Sequence, residues 1–137
     1  MAATQRPLRV LIADDEKIIA DTLAIIIRNS GFSVTTVYGG NSAVETAEKL
    51  QPDVVICDIR MPDMNGVDAA NRISQILPTS KIVLCSGHTE AQGSLENAHA
   101  AGLKFVFLAK PVSPAVFLDF LRSYEEHLSI ATELQIA

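Results

Sequence analysis

Five times along this chain a short apolar run gives way to a stretch whose apolar residues recur at helical spacing. The runs fall at residues 8–13, 32–38, 54–58, 81–85 and 104–109. The helical stretches fall at 16–30, 43–50, 66–77, 90–101 and 113–128, and the polar tail 129–137 either extends the last or frays from it. Such alternation implies βαβ units and a parallel sheet with helices on both faces. Right-handed crossovers leave few topologies. The 32–38 run is more polar than its fellows, so it belongs at an edge. The expectation is an α/β, doubly wound, five-stranded sheet in the order 2-1-3-4-5.

The helices carry their own punctuation. Ile19, Leu23, Ile26 and Ile27 form the first stripe, and Gly31 stops it. Ala43, Ala47 and Leu50 face inward from the second, and Val67, Ala70, Ile73 and Leu77 from the third. The fourth, 90–101, is the weakest, with Gly93 inside it. Ser113 and Pro114 suit the cap and first turn of the last, whose stripe is Phe117, Phe120, Leu121, Tyr124 and Leu128.

At 137 residues, 48% apolar and 20% charged, the chain reads as one soluble domain, with its core over about 8–128 and a tail or linker start at 129–137. A net charge of −5 gives no basic surplus for nucleic acid. No apolar run approaches the ~20 residues of a membrane span. The first residues lack an apolar signal core, so a cytoplasmic location is expected. Two cysteines, Cys57 and Cys85, make no secreted framework.

Four strands end on chemistry: Asp14-Asp15, Asp58, Ser86 and Lys110. In a parallel sheet those ends share one edge, where open α/β folds bind their ligands. Asp58 taken alone reads equally as a solvated loop carboxylate. Together, three carboxylates converge with only Lys110 opposing them, and like charges at that range repel. A hard divalent cation such as Mg²⁺ relieves this, because it takes one or two carboxylates and keeps several waters. A site so balanced can accept a phosphoryl group, with Asp58 attacking phosphorus.

The set resembles the receiver domain of two-component response regulators. The resemblance rests on Asp14-Asp15, on the segment Asp58-Ile59-Arg60-Met61-Pro62-Asp63-Met64-Asn65-Gly66, on Ser86 after a strand, and on Lys110-Pro111. It runs from Leu8 to about Leu128 and implies a flavodoxin-like fold. It also implies a signalling domain rather than an enzyme, acting on itself in phosphoryl transfer and autodephosphorylation. Asp58 would take its phosphoryl group from a histidine kinase or a phosphotransfer protein. Asp15 would ligate Mg²⁺ directly, Asp14 through water, and the backbone carbonyl of Arg60 would join them. Ser86 would bond the phosphoryl oxygen and Lys110 would pair with it. Phe107 matches an aromatic switch position, where Phe replaces a common Tyr, and is equally a good core residue. Arg60 and His88 match positions that tune phosphoryl loss, or are exposed loop side chains. Output would pass through the 90–128 surface to a downstream target or a second copy.

The remaining polar and sulfur residues read more plainly. His99 and His127 read as solvated surface, and Asp63 as shaping its turn rather than binding metal. Glu16 either touches the metal through water or begins its helix. Cys57 and Cys85 read as reduced core neighbours facing away from the site, since strands about 4.8 Å apart exceed the ~3.8 Å Cβ separation a disulfide needs. A haloacid-dehalogenase-like phosphatase would want an Asp where Arg60 stands, and a cap domain. A receiver without chemistry would lack some of these residues. Dinucleotide binding would need a Gly-rich turn where Asp14-Asp15 stands. A single-domain regulator and a fragment of a longer one fit the sequence equally.

Overall fold

In β1 (Arg9–Ala13), β3 (Val54–Asp58) and β4 (Lys81–Ser86) nearly every residue is buried, although the pleat sends successive side chains to opposite faces. Strands apolar on both faces need cover on both. The computed structural model, which describes residues 6–87 and 105–136, supplies it. Helices α1 (Lys17–Asn29) and α4 (Pro114–Ile136) pack on one face against Val10, Ile12, Ile56 and Val83. Helices α2 (Gly40–Leu50) and α3 (Gly66–Ile76) pack on the other against Leu11, Val55, Cys57 and Leu84. With β2 (Ser33–Val37) and β5 (Val106–Ala109) at the edges, all strands run parallel in the order β2-β1-β3-β4-β5. The expected topology and the edge position of the polar strand both hold. The expected 90–101 helix, with His88, His99 and the Lys104 start of the last strand, lies outside the described residues.

Several local expectations shift. Helix α1 buries Ala20, Ala24 and Ile27, while Ile19 is exposed and Ile26 only half-buried. Alanines let the helix axis sit close to the sheet, and Ile18, Ile19 and Ile25 fall outside the buried stripe that Ile27 completes. Helix α2 starts at Gly40, not Ala43, and its Leu50 is exposed at the last turn. Helix α4 continues through the polar tail to Ile136. Gly31 ends α1 at φ 101°, a left-handed conformation that favours glycine. Ser113 caps α4 as expected, its Oγ accepting from Ala115 N at 3.3 Å.

Cys57 and Cys85 are free and buried, but they are not neighbours on one face. The register pairs Cys57 with Leu84 and Asp58 with Cys85, one residue out of the expected step. Cys57 therefore faces α2 and α3, and Cys85 faces α1 and α4. Burial pushes both thiols up, that of Cys85 to about 12.

The amino edge of the sheet is tied together by one residue. The Asp53 carboxylate takes Arg6 in two bonds of 2.7 and 3.0 Å and accepts Arg9 N–H at 2.8 Å. Its backbone N–H donates to Arg9 O and its carbonyl accepts from Lys81 N, both at 2.9 Å. Burial works against the Asp53 charge, but Arg6 and the Arg9 N–H outweigh it and hold the carboxyl below its usual range. A lowered folded value means stability that is present above the ordinary carboxylate range and lost as pH falls through the folded value. Asp53→Ala should therefore cost roughly 1–2 kcal/mol at neutral pH, with Arg6 about half solvated. Urea melts across the acid range should show the difference closing below the ordinary value of 3.8. An equal difference at every pH would refute the ionic account.

Candidate functional site

The carboxyl edge gathers the side chains that end the strands. Asp14 follows β1, Asp58 closes β3, Ser86 closes β4 and Lys110 follows β5. Asp14, Asp58 and Ser86 are all buried, and for the two carboxylates that is unusual unless they are compensated. Asp15 is exposed. One carboxylate oxygen from each of Asp14, Asp15 and Asp58 lies within 4.8 Å of the others, a donor set that could hold a metal ion. Its all-oxygen character suits a hard divalent cation.

Lys110 faces this cluster. Its Nζ lies 3.2 Å from Asp58 Oδ1 and 3.4 Å from Asp14 Oδ2. The lysine is aimed by its own backbone, whose N–H donates to Ser86 O at 2.8 Å just before the cis Lys110–Pro111 bond. Burial opposes the ammonium charge, but the two carboxylates outweigh it and raise the Lys110 pKa. Asp58 moves the other way from most carboxylates. Burial lifts it above its usual range, Lys110 only partly offsets this, and the Asp14 charge adds to the lift. Carboxylates held together at this cost are charge-poor in cation.

Local structure explains why Asp58 is presented here. Ile59 N donates to Cys85 O at 3.0 Å, and Gly66 N donates to Ile59 O at 2.7 Å, so the loop after β3 closes on itself. Gly66 opens α3 pressed against the Asp58 backbone, where any Cβ would overlap the Asp58 carbonyl oxygen. Asn65 caps that helix, its side chain accepting from Val67 N at 2.7 Å. Asp14 is fixed similarly, Oδ1 accepting from Glu16 N at 3.0 Å, and Glu16 stands at the N-cap position just before α1 and lines the polar cleft beside Asp15.

The other expected residues fall as follows. Ser86 Oγ donates to Gly87 O at 3.0 Å. Arg60 is exposed and lines a polar cleft of about 580 Å³ with Asp15, Asp58 and Lys110. Phe107 is half-buried beside Phe105, ring centroids 6.5 Å apart. Its ring packs on the α2–α3 face, while Val106 and Leu108 of the same edge strand pack with the α4 residues Tyr124 and Leu128 on the other. The exposed His127 stands beside the Tyr124 ring.

Two features escaped the sequence. The first is an apolar groove of about 580 Å³ between α1 and the start of α4, lined by Ile18, Leu23, Pro111 and Phe117 and reaching Asp58 and Cys85. Its signal was available: α1 carries isoleucines on more than one face, and Ile18 is 82% exposed. The second is Asp63, which reaches α2 across the fold and accepts from Gly40 N at 2.9 Å and Asn41 N at 3.0 Å.

Comparison with known proteins agrees with this geometry. A family model described as response regulator receiver domain matches residues 10–122. Chemotaxis protein CheY of Thermotoga maritima is 40% identical over 114 residues, covering 82% of this chain and 93% of that protein. TcrX of Mycobacterium tuberculosis, a probable transcriptional regulatory protein, is 31% identical over 130 residues; these cover 95% of this chain but 55% of TcrX. Among solved structures, CheY4 of Vibrio cholerae superimposes with a TM-score of 0.73 at 28% identity, covering 86% of this chain and 98% of that one. A CheY-like receiver from Methanospirillum hungatei shares the fold, with a TM-score of 0.83 at 21% identity over 92% of this chain and 99% of that one. The chain belongs to the response regulator receiver family, the phosphoacceptor domains of two-component signalling.

Proposed function

We propose that Asp58 is the phosphoacceptor and that Mg²⁺ is held by Asp14, Asp15, Asp58 and the Arg60 carbonyl. The observation that carries this reading is the carboxylate cluster within 4.8 Å, faced by the ammonium of Lys110. The phosphoryl donor is a phosphohistidine on a kinase or phosphotransfer protein. An Asp58 carboxylate oxygen attacks phosphorus, the P–N bond to the imidazole breaks, and an acyl phosphate forms at Asp58. Magnesium, when bound, neutralises charge on the carboxylates and on the phosphoryl oxygens. Lys110 gives up its bond to Asp58 Oδ1 and pairs with a phosphoryl oxygen. Ser86 turns its hydroxyl from the Gly87 carbonyl to another. The polar cleft admits the water that later removes the group, with Arg60 and His88 tuning that rate.

Phe107, half-buried on the edge strand, is the ring that follows Ser86 inward. The response is read from β5 and the segment 90–128 by a target protein or a second copy. The receiver core spans 8–128 and works in the cytoplasm. No described helix is long and apolar enough to cross a membrane.

Magnesium at millimolar concentration should raise the melting temperature, because the folded site binds the ion and the unfolded chain lacks the cluster. A small acyl-phosphate donor should then add one acid-labile phosphoryl group, located at Asp58 by mass spectrometry. A melt indifferent to Mg²⁺, or a phosphoryl group on another residue, would overturn the assignment.

A further inference from the structure

Helix α2 begins beside Gly39, which has no side chain to cap it. Its first amides are satisfied instead by a residue 22–23 positions away, Asp63, whose two carboxylate oxygens take Gly40 N–H and Asn41 N–H. Negative charge at this end also complements the helix dipole. The fit is close on both sides. A Cβ at Gly39 would lie 3.0 Å from both Asp63 oxygens. A Cβ at Gly40 would lie 2.6 Å from Met64 Cβ and 2.8 Å from its carbonyl oxygen. The start of α2 is thus shaped to receive the tip of the loop after Asp58.

That loop has three other fixed points. Its base closes through Gly66 N and Ile59 O, Asn65 caps α3, and Met61 is buried in the α2–α3 core. Between Asp58 and that cap the exposed residues are Arg60, Pro62 and Asp63, and Asp63 is their anchor. With both oxygens engaged by backbone N–H groups, Asp63 points away from a ligand role of its own.

We infer that Asp63, seated on the Gly39-Gly40 start of α2, is a positioning residue for the metal site. It holds the loop so that the Arg60 carbonyl stays in place for the ion. This rests on the phosphoacceptor reading above. Supporting groups of this kind typically change metal affinity 10–100-fold when removed.

The test is Mg²⁺ titration by calorimetry, followed by phosphorylation rates against Mg²⁺ concentration. Asp63→Ala and Gly40→Ala should each weaken Mg²⁺ binding roughly tenfold. The first removes the anchor, and the second pushes Met64 away while leaving Asp63 intact. The Mg²⁺ concentration giving half-maximal rate should rise in step, while the rate at saturating Mg²⁺ stays near that of the natural chain. Asp63→Asn, which keeps one acceptor oxygen, should fall between and guards against misfolding of the alanine variant. Ser113→Ala removes a cap on α4 and should lower the melting temperature without changing Mg²⁺ affinity.

Natural affinity in both Asp63→Ala and Gly40→Ala, with lowered melting alone, would make Asp63 a structural cap and nothing more. Equal weakening in Ser113→Ala would tie the effect to stability and defeat the inference. A natural chain that binds no Mg²⁺ would overturn the phosphoacceptor reading as well, so the two failures are distinct.

Discussion

Asp58→Asn should take up no phosphoryl group and yet melt higher than the natural chain when no divalent cation is added. The amide keeps the shape of the carboxylate and an oxygen for Lys110, now 3.2 Å from Asp58 Oδ1. It removes a charge that burial and the Asp14 carboxylate both disfavour. A carboxyl raised in the folded state binds its proton more tightly folded than unfolded. Its ionisation therefore costs stability as pH rises from the ordinary value of 3.8 through the folded one. The gain in Asp58→Asn should grow as pH rises through the folded value and shrink on acidification. It should shrink too with Mg²⁺, which stabilises the natural chain more than the variant. Each kcal/mol relieved is worth roughly 3–5 °C in a domain of this size. Differential scanning calorimetry with and without Mg²⁺ measures both effects. Lower melting in the variant at neutral pH, or residual labelling, would contradict the charge account of the site.

Gly66→Ala should be among the most damaging single changes. The added Cβ would meet the Asp58 carbonyl oxygen and lie 2.7 Å from Ile59 Cα, all of it backbone that cannot swing aside. Relief requires α3 to back away from β3, opening the packing around Cys57, Ala70 and Ile73. The expected cost is about 3 kcal/mol or more, lowering the melting temperature by roughly 10 °C. Gly87→Ala is the control, since among the described residues nothing lies within 4 Å of its Cβ position and its effect should stay within about 0.5 kcal/mol. Similar losses in both variants would mean that backbone freedom, not the close approach, is what Gly66 supplies.

The sheet was legible because its strands carry unambiguous patterns. Runs such as Val54–Asp58, buried on both faces, have few competing interpretations. The carboxyl edge was legible for the same reason: once the strands are parallel, Asp14, Asp58, Ser86 and Lys110 must share an end. What was not legible depends on distance between elements rather than on pattern within one. The one-residue offset that separates Cys57 from Cys85 lies in the β3–β4 register, which pairs Asp58 with Cys85. The buried stripe of α1 was misread because hydrophobicity ranks Ile19 above Ala20, whereas close packing prefers the smaller side chain. The Asp63 cap joins residues 22–23 apart and has no local sequence sign at all.

The placement of the two thiols has a use that neither strand nor site suggests. One sulfur lies under each helical layer, Cys57 beneath α2 and α3, Cys85 beneath α1 and α4. Cys57 is wholly covered and reacts only when its layer lifts, whereas Cys85 borders the groove between α1 and α4 and reacts as that groove widens; burial pushes both thiols up. Alkylation of the native protein therefore times the lifting of each layer separately. Single-cysteine versions of the chain carry a built-in clock on either side of the sheet, able to record which half loosens when Asp58 changes state.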